Sequence, residues 1–88
     1  MEKITLSDGR QFDVGSFAIA SSGYMFIRVQ MPMNKAALEF AHGTERIIYE
    51  VDDRPPVAIN GFTELAYIVN ESDCVRVALI RPMDIQEV

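Results

Sequence analysis

Residues 62–81 read FTELAYIV, NESD and CVRVALIR, and this stretch decides the fold. Two runs rich in β-branched and aromatic residues flank a short polar segment, which is typical of a β-hairpin. If residues 71–73 form the loop, the register pairs Val69 with Val75, Tyr67 with Val77 and Leu65 with Leu79, and this face is apolar. The other face pairs Ile68 with Arg76, Ala66 with Ala78 and Glu64 with Ile80. A shift that sets Tyr67 against Arg76 would break the apolar face, so the pattern favours this register.

Two more hairpins are predicted upstream, each with glycine third in its loop. In the first, Ser7-Asp8-Gly9 joins two alternating runs, and Gly9 takes the left-handed site of a type I turn with a bulge. This loop sets Ile4 opposite Phe12 and Glu2 opposite Val14, leaving one apolar and one polar face.

The second upstream hairpin, at residues 17–29, is apolar on both faces. Its loop, residues 21–23, sets Ile19 opposite Met25 and Phe17 opposite Ile27. The other face carries Ala18 beside Phe26 and Ala20 beside Tyr24. Such a strand pair either lies in a two-sided core or exposes one face to a partner.

The middle of the chain predicts one short helix and one strand. Asn34 is placed to cap a helix over residues 35–42, with Gly43 as its C-terminal glycine. Its packing face is expected to hold Ala37, Leu38 and Ala41, with Phe40 beside it and a Met33–Leu38 staple at its start. A strand over 44–51, a loop over 52–56, a tight turn or bulge at 60–61 and a polar tail over 83–88 complete the chain.

The predicted fold class is α+β but mostly β, in one domain over residues 1–88. The hairpins are expected to form a twisted antiparallel sheet or a partial barrel. The short helix is not stable alone and must pack on that sheet.

The composition disfavours two kinds of partner, nucleic acids and membranes. The net charge is −5, and the two Lys and six Arg residues are never adjacent, which disfavours nucleic acid. No apolar run approaches the ~20 residues that cross a bilayer, and the first residues do not resemble a signal peptide, so we expect no membrane contact and a cytoplasmic location.

No set of catalytic or metal-binding residues stands out. Cys74 and His42 are each the only residue of their type, and the acidic group Glu50, Asp52 and Asp53 lacks the regular spacing of a calcium loop. We therefore predict no cofactor, no metal and no enzymatic activity. A small enzyme using His42 with Asp52 or Asp53 is the less favoured alternative.

The layout resembles small uncharacterised proteins encoded by phages and prophages of Gram-positive bacteria. The similar segments are ITLSDGRQFDV, the LEF helix segment, IIYEV, GFTELAYI and VRVALIR. The resemblance implies a non-enzymatic protein that acts through assembly or contact with a host protein, in the cytoplasm or on the virion.

Two modes of action remain for a protein of this kind. The first is an assembly or interaction module with an apolar contact patch, and the second is an acidic decoy that occupies a basic surface of another protein. Scattered carboxylates favour the first mode. The candidate interface is Ala18, Ala20, Tyr24 and Phe26, through which the chain is expected to form a homodimer.

Overall fold

The computed structural model describes residues 1–81, which fold into one sheet and one helix; the predicted polar tail lies outside these residues. All strand pairings are antiparallel, and the strand order is β2-β1-β5-β6-β7-β4-β3. The elements are β1 (Glu2–Leu6), β2 (Gln11–Val14), β3 (Ser16–Ile19), β4 (Tyr24–Val29), α1 (Met33–Glu39), β5 (Thr44–Val51), β6 (Val57–Asn70) and β7 (Val75–Ile80).

The sheet curls around its core without closing into a barrel. The rings of Phe17 on β3 and Tyr49 on β5 lie 4.6 Å apart, although β6, β7 and β4 separate those strands in the sheet. The concave face holds the buried cluster, which includes Ile4, Ile27 and Ile47. The predicted fold class is therefore confirmed: a twisted, mostly β sheet with one short helix.

The two upstream hairpins have the predicted registers. Ile4 pairs with Phe12 and Glu2 with Val14 in the first hairpin. In the second, Phe17 pairs with Ile27 and Ile19 with Met25. Gly9 and Gly23 have φ values of 94° and 98°, the left-handed conformation that each loop requires and that glycine adopts without steric cost.

Two irregularities shape the long strand β6. Gly61, with φ 115°, lies where the register with β5 shifts, so the Asn60-Gly61 pair forms a bulge rather than a turn. A second bulge at Ala66 shifts the register with β7. Here the predicted pairing is right for Leu65 and Leu79 but wrong nearer the loop, where Tyr67 pairs with Ala78.

The Ala66 bulge exchanges the faces of the residues that follow it. Ile68 pairs with Val77 and packs against the core, whereas Tyr67 and Val69 point outward and are 45% and 36% exposed. This arrangement places Val69 rather than Ile68 beside Arg76 on the convex face. It also leaves the Tyr67 hydroxyl in reach of water, so that no buried partner is needed for it.

The helix differs from the prediction in both its bounds and its packing face. It begins after Pro32 rather than Asn34, no side chain caps it, and Phe40 rather than Gly43 ends it. Ala36 and Phe40 are buried, while Leu38 is 74% exposed and Met33 is 42% exposed, so the predicted staple and packing face are wrong. The Phe40 ring determines which side of the helix faces the core, because it packs against the ring of Phe12 with the ring centroids 5.1 Å apart.

Hydrogen bonds fasten the first hairpin loop to the helix end and to β5. Arg10 donates from Nη1 to the carbonyl of Glu39 at 2.7 Å and to its carboxylate at 2.9 Å. The hydroxyls of Ser7 and Thr44 lie 2.7 Å apart. The Arg10 contacts hold the end of the helix, whose Ala36 and Phe40 are buried in the core on the concave face. The convex face of β3, β4, β7 and β6 is left without a cover from the described residues.

Candidate protein-interaction surface

All four residues of the predicted interface lie together on the convex face. Along β4, Met25, Ile27 and Val29 are buried in the core, so the alternate side chains Tyr24 and Phe26 point outward. Their rings stack with centroids 6.0 Å apart and an interplanar angle of 11°. The neighbouring strand supplies two small residues, Ala18 opposite Phe26 and Ala20 opposite Tyr24.

The surface extends across the next two strands. Ala78 on β7 pairs with Phe26 on one side and with Tyr67 on the other, and these flanking rings bury it completely. The ring of Tyr67 lies 6.2 Å from that of Tyr24. We refer to the six residues as the aromatic face: Ala18, Ala20, Tyr24, Phe26, Tyr67 and Ala78.

Charged groups flank the aromatic face at both ends of its strands. At one end, Arg28 and Arg76 both bind the Glu71 carboxylate, at 3.1 and 2.9 Å. The Arg76 guanidinium also lies 5.9 Å from the centre of the Phe26 ring, within cation–π range. At the other end Glu64, paired with Ile80, is exposed.

Sequence reasoning missed Tyr67 and Ala78 as members of this face. Their places depend on the pairing of β4 with β7, which joins strands distant in the chain, and on the Ala66 bulge. The one available signal in the sequence was the small side chain of Ala78. A small residue at this position in an otherwise bulky strand leaves room for neighbouring rings.

Cys74 lies beside the aromatic face in a polar depression of the surface. Its thiol contacts the Glu71 carboxylate at 3.6 Å, and Gly15, Arg28 and Gln30 line the same depression. Burial and the hydrogen bond to Glu71 raise the pKa of the thiol. The thiol is therefore held protonated, which disfavours nucleophilic chemistry at this position.

The structure does not bring His42 to the acidic loop. His42 is exposed before β5, whereas Asp52 and Asp53 follow the far end of that strand. Eight extended residues span roughly 26 Å, so the imidazole and these carboxylates do not converge. Within residues 1–81, no group of three His, Cys, Asp or Glu side chains is arranged to hold a metal ion.

The acidic group Glu50, Asp52 and Asp53 is partly neutralised by cationic groups. Glu50 lies 3.6 Å from the ammonium group of Lys3, and Asp52 forms an ion pair with the amino group of Met1. Asp53 is exposed and takes the left-handed conformation, with φ 66°, in the turn after β5.

The part of the chain that the structure describes contains no helix with the length and apolar character needed to cross a bilayer. Comparisons with family models, with curated proteins and with solved structures found no match to this chain.

Proposed function

We propose that this protein is a non-enzymatic interaction module that works in an assembly by binding a protein through the aromatic face. The observation that supports this most directly is the cluster of Tyr24, Phe26 and Tyr67 on the face opposite the core. Aromatic rings are enriched at the centres of protein interfaces, where truncating one costs ~2 kcal/mol or more.

The small residues of the face favour the same role. Ala18 and Ala20 beside the rings give a shallow floor on which another surface can rest. The sheet is rigid there because its other side is packed with buried Met25 and Ile27. A preformed surface of this kind loses little conformational entropy on binding.

The distribution of carboxylates supports assembly over the acidic decoy. Glu39, Glu50 and Glu71 each lie in ion pairs with cationic groups of the same chain. A decoy requires unpaired carboxylates concentrated on one side. In this proposal the chain is a phage or prophage assembly component, acting in the cytoplasm or on the virion.

Affinity capture from a lysate of the encoding organism tests the proposal. Tyr67→Ser should lose partners that resist high salt, because it removes an exposed ring from the aromatic face. Leu38→Ser is the matched control, since Leu38 is also exposed but lies on the helix. Capture that is salt-labile, unaffected by Tyr67→Ser and lost in Asp52→Asn/Asp53→Asn would favour the decoy instead.

A further inference from the structure

We propose that the aromatic face binds a second copy of the same chain, in a two-fold dimer that sets Glu64 of each copy beside Arg76 of the other. The inference rests on the proposed function and names its partner. It follows from the order in which charged and apolar residues lie along the convex face.

The strand pairings divide the convex face into three rows that run across β3, β4, β7 and β6. The middle row contains only uncharged residues, and the two outer rows differ in charge. The rows are Ala20, Tyr24, Ile80 and Glu64; then Ala18, Phe26, Ala78 and Tyr67; then Ser16, Arg28, Arg76 and Val69.

The two outer rows carry opposite charge. Glu64 is exposed, and no ion pair or hydrogen bond within residues 1–81 engages its carboxylate. In the opposite row, two guanidinium groups, those of Arg28 and Arg76, share the single carboxylate of Glu71. On β4 and β7 the outer rows are four residues apart, so roughly 13 Å separates the backbone positions of the two rows.

This pattern is self-complementary in one orientation. A two-fold axis that lies in the interface and crosses the strands reverses strand direction between the copies. The middle row then packs on the middle row of the partner copy, and each Glu64 lies over the row that contains Arg76. An axis along the strands, through the middle of the four, would instead place β4 over β7 and set Arg28 against Arg76. Like charges in contact disfavour this second orientation.

The middle row can accept its own copy. Facing sheets pack about 10 Å apart, with side chains of the two faces interleaved. Rings at Phe26 and Tyr67 alternate with small residues at Ala18 and Ala78. Each ring of one copy therefore faces the same ring of the partner copy, and the alanine beside that ring leaves room for it. Both copies remove rings from water in the same contact.

Mixing two charge-reversed variants tests the orientation as well as the dimer. Glu64→Arg alone sets Arg against Arg at both contacts, and Arg76→Glu alone sets Glu against Glu. The dimer dissociation constant of each variant should exceed that of the wild type by about tenfold or more. An equimolar mixture should form a heterodimer with wild-type affinity, because both contacts then join opposite charges. Sedimentation velocity across the micromolar range measures each case.

Further measurements separate a folding defect from an interface effect, and this proposal from the one before it. Urea unfolding at low protein concentration establishes that each variant is folded. Tyr67→Ser, which changes no charge, must also weaken the dimer. A wild-type chain that stays monomeric throughout the range, or a mixture no tighter than its components, overturns the dimer. In that event, salt-resistant capture that Tyr67→Ser abolishes would still support the interaction module with a different partner.

Discussion

Tyr49 is the described residue whose side-chain ionisation the fold shifts most clearly. Its hydroxyl donates to a carboxylate oxygen of Glu2 at 2.5 Å, and its ring packs on Phe17. The hydrogen bond to Glu2, burial and the negative charge of the carboxylate together raise the pKa of Tyr49 to about 12. Deprotonation would break the bond and leave two anions in contact.

The raised pKa predicts how stability changes at alkaline pH. Folding favours the protonated phenol, so the stabilisation is fully present below pH 10.0, the ordinary value, and is lost as the pH rises towards 12. The difference in tyrosinate absorbance between wild type and Tyr49→Phe should titrate with a midpoint well above that ordinary value. Glu2→Gln, which keeps an acceptor but removes the charge, should lower the midpoint. An unshifted difference curve for the wild type would contradict this.

At the scale of single elements, the helix offers a matched pair of substitutions. Phe40 is 3% exposed against Phe12, whereas Leu38, close by in the chain, is 74% exposed. We expect Phe40→Ala to lower the free energy of unfolding by about 3–5 kcal/mol, because it opens a cavity under the helix end. Leu38→Ala should change it by less than about 0.5 kcal/mol.

Urea denaturation of both variants measures the difference. Comparable losses of stability would show that Leu38 lies on the packing face, as the sequence pattern predicts, and that the observed helix phase is wrong. A Phe40→Ala chain that is unfolded without denaturant agrees with the expectation, because a loss of this size approaches the whole stability of many small domains.

The hairpins, β6 and the helix show which features of the fold could be predicted from the sequence. The hairpins at Gly9 and Gly23 were predictable because a loop glycine and strict alternation act within a few residues. The bulge at Ala66 was not, because Tyr67 and Ile68 are both apolar and either suits the core face by pattern alone. The helix phase was missed for a related reason: Phe40 and Leu38 are both apolar, and only the position of Phe12 selects between them.

The candidate surface divides in the same way. Tyr24, Phe26 and the alanines beside them could be predicted because one hairpin contains them all. Tyr67 joins them only through β7, which lies between β4 and β6 in the sheet. Strand order depends on contacts between distant segments, and no local pattern in this sequence encodes it.

At the scale of the whole molecule, β6 makes the two halves of the sheet one structure. Its first residues pair with β5 and its later residues with β7. The buried cluster is also continuous, since it contains Ile4 and Ile47 from one half and Ile27 from the other. Unfolding either half would expose the core of the other, so we expect a single cooperative transition.

Tyrosine fluorescence can report on each half separately, because the chain contains three tyrosines and no tryptophan. Tyr24→Phe/Tyr67→Phe leaves Tyr49 on β5, while Tyr49→Phe leaves the two tyrosines of the aromatic face. In each variant, the tyrosine fluorescence and the far-UV circular dichroism should change at the same urea concentration. The midpoints of the two variants need not be equal, because Tyr49→Phe removes the hydrogen bond to Glu2. Adding Ile4→Val or Ile27→Val, each of which shortens a fully buried side chain, should shift both signals together by about 0.5–1.5 kcal/mol. If Ile4→Val moved only the Tyr49 signal, the halves would unfold independently and β6 would not couple them.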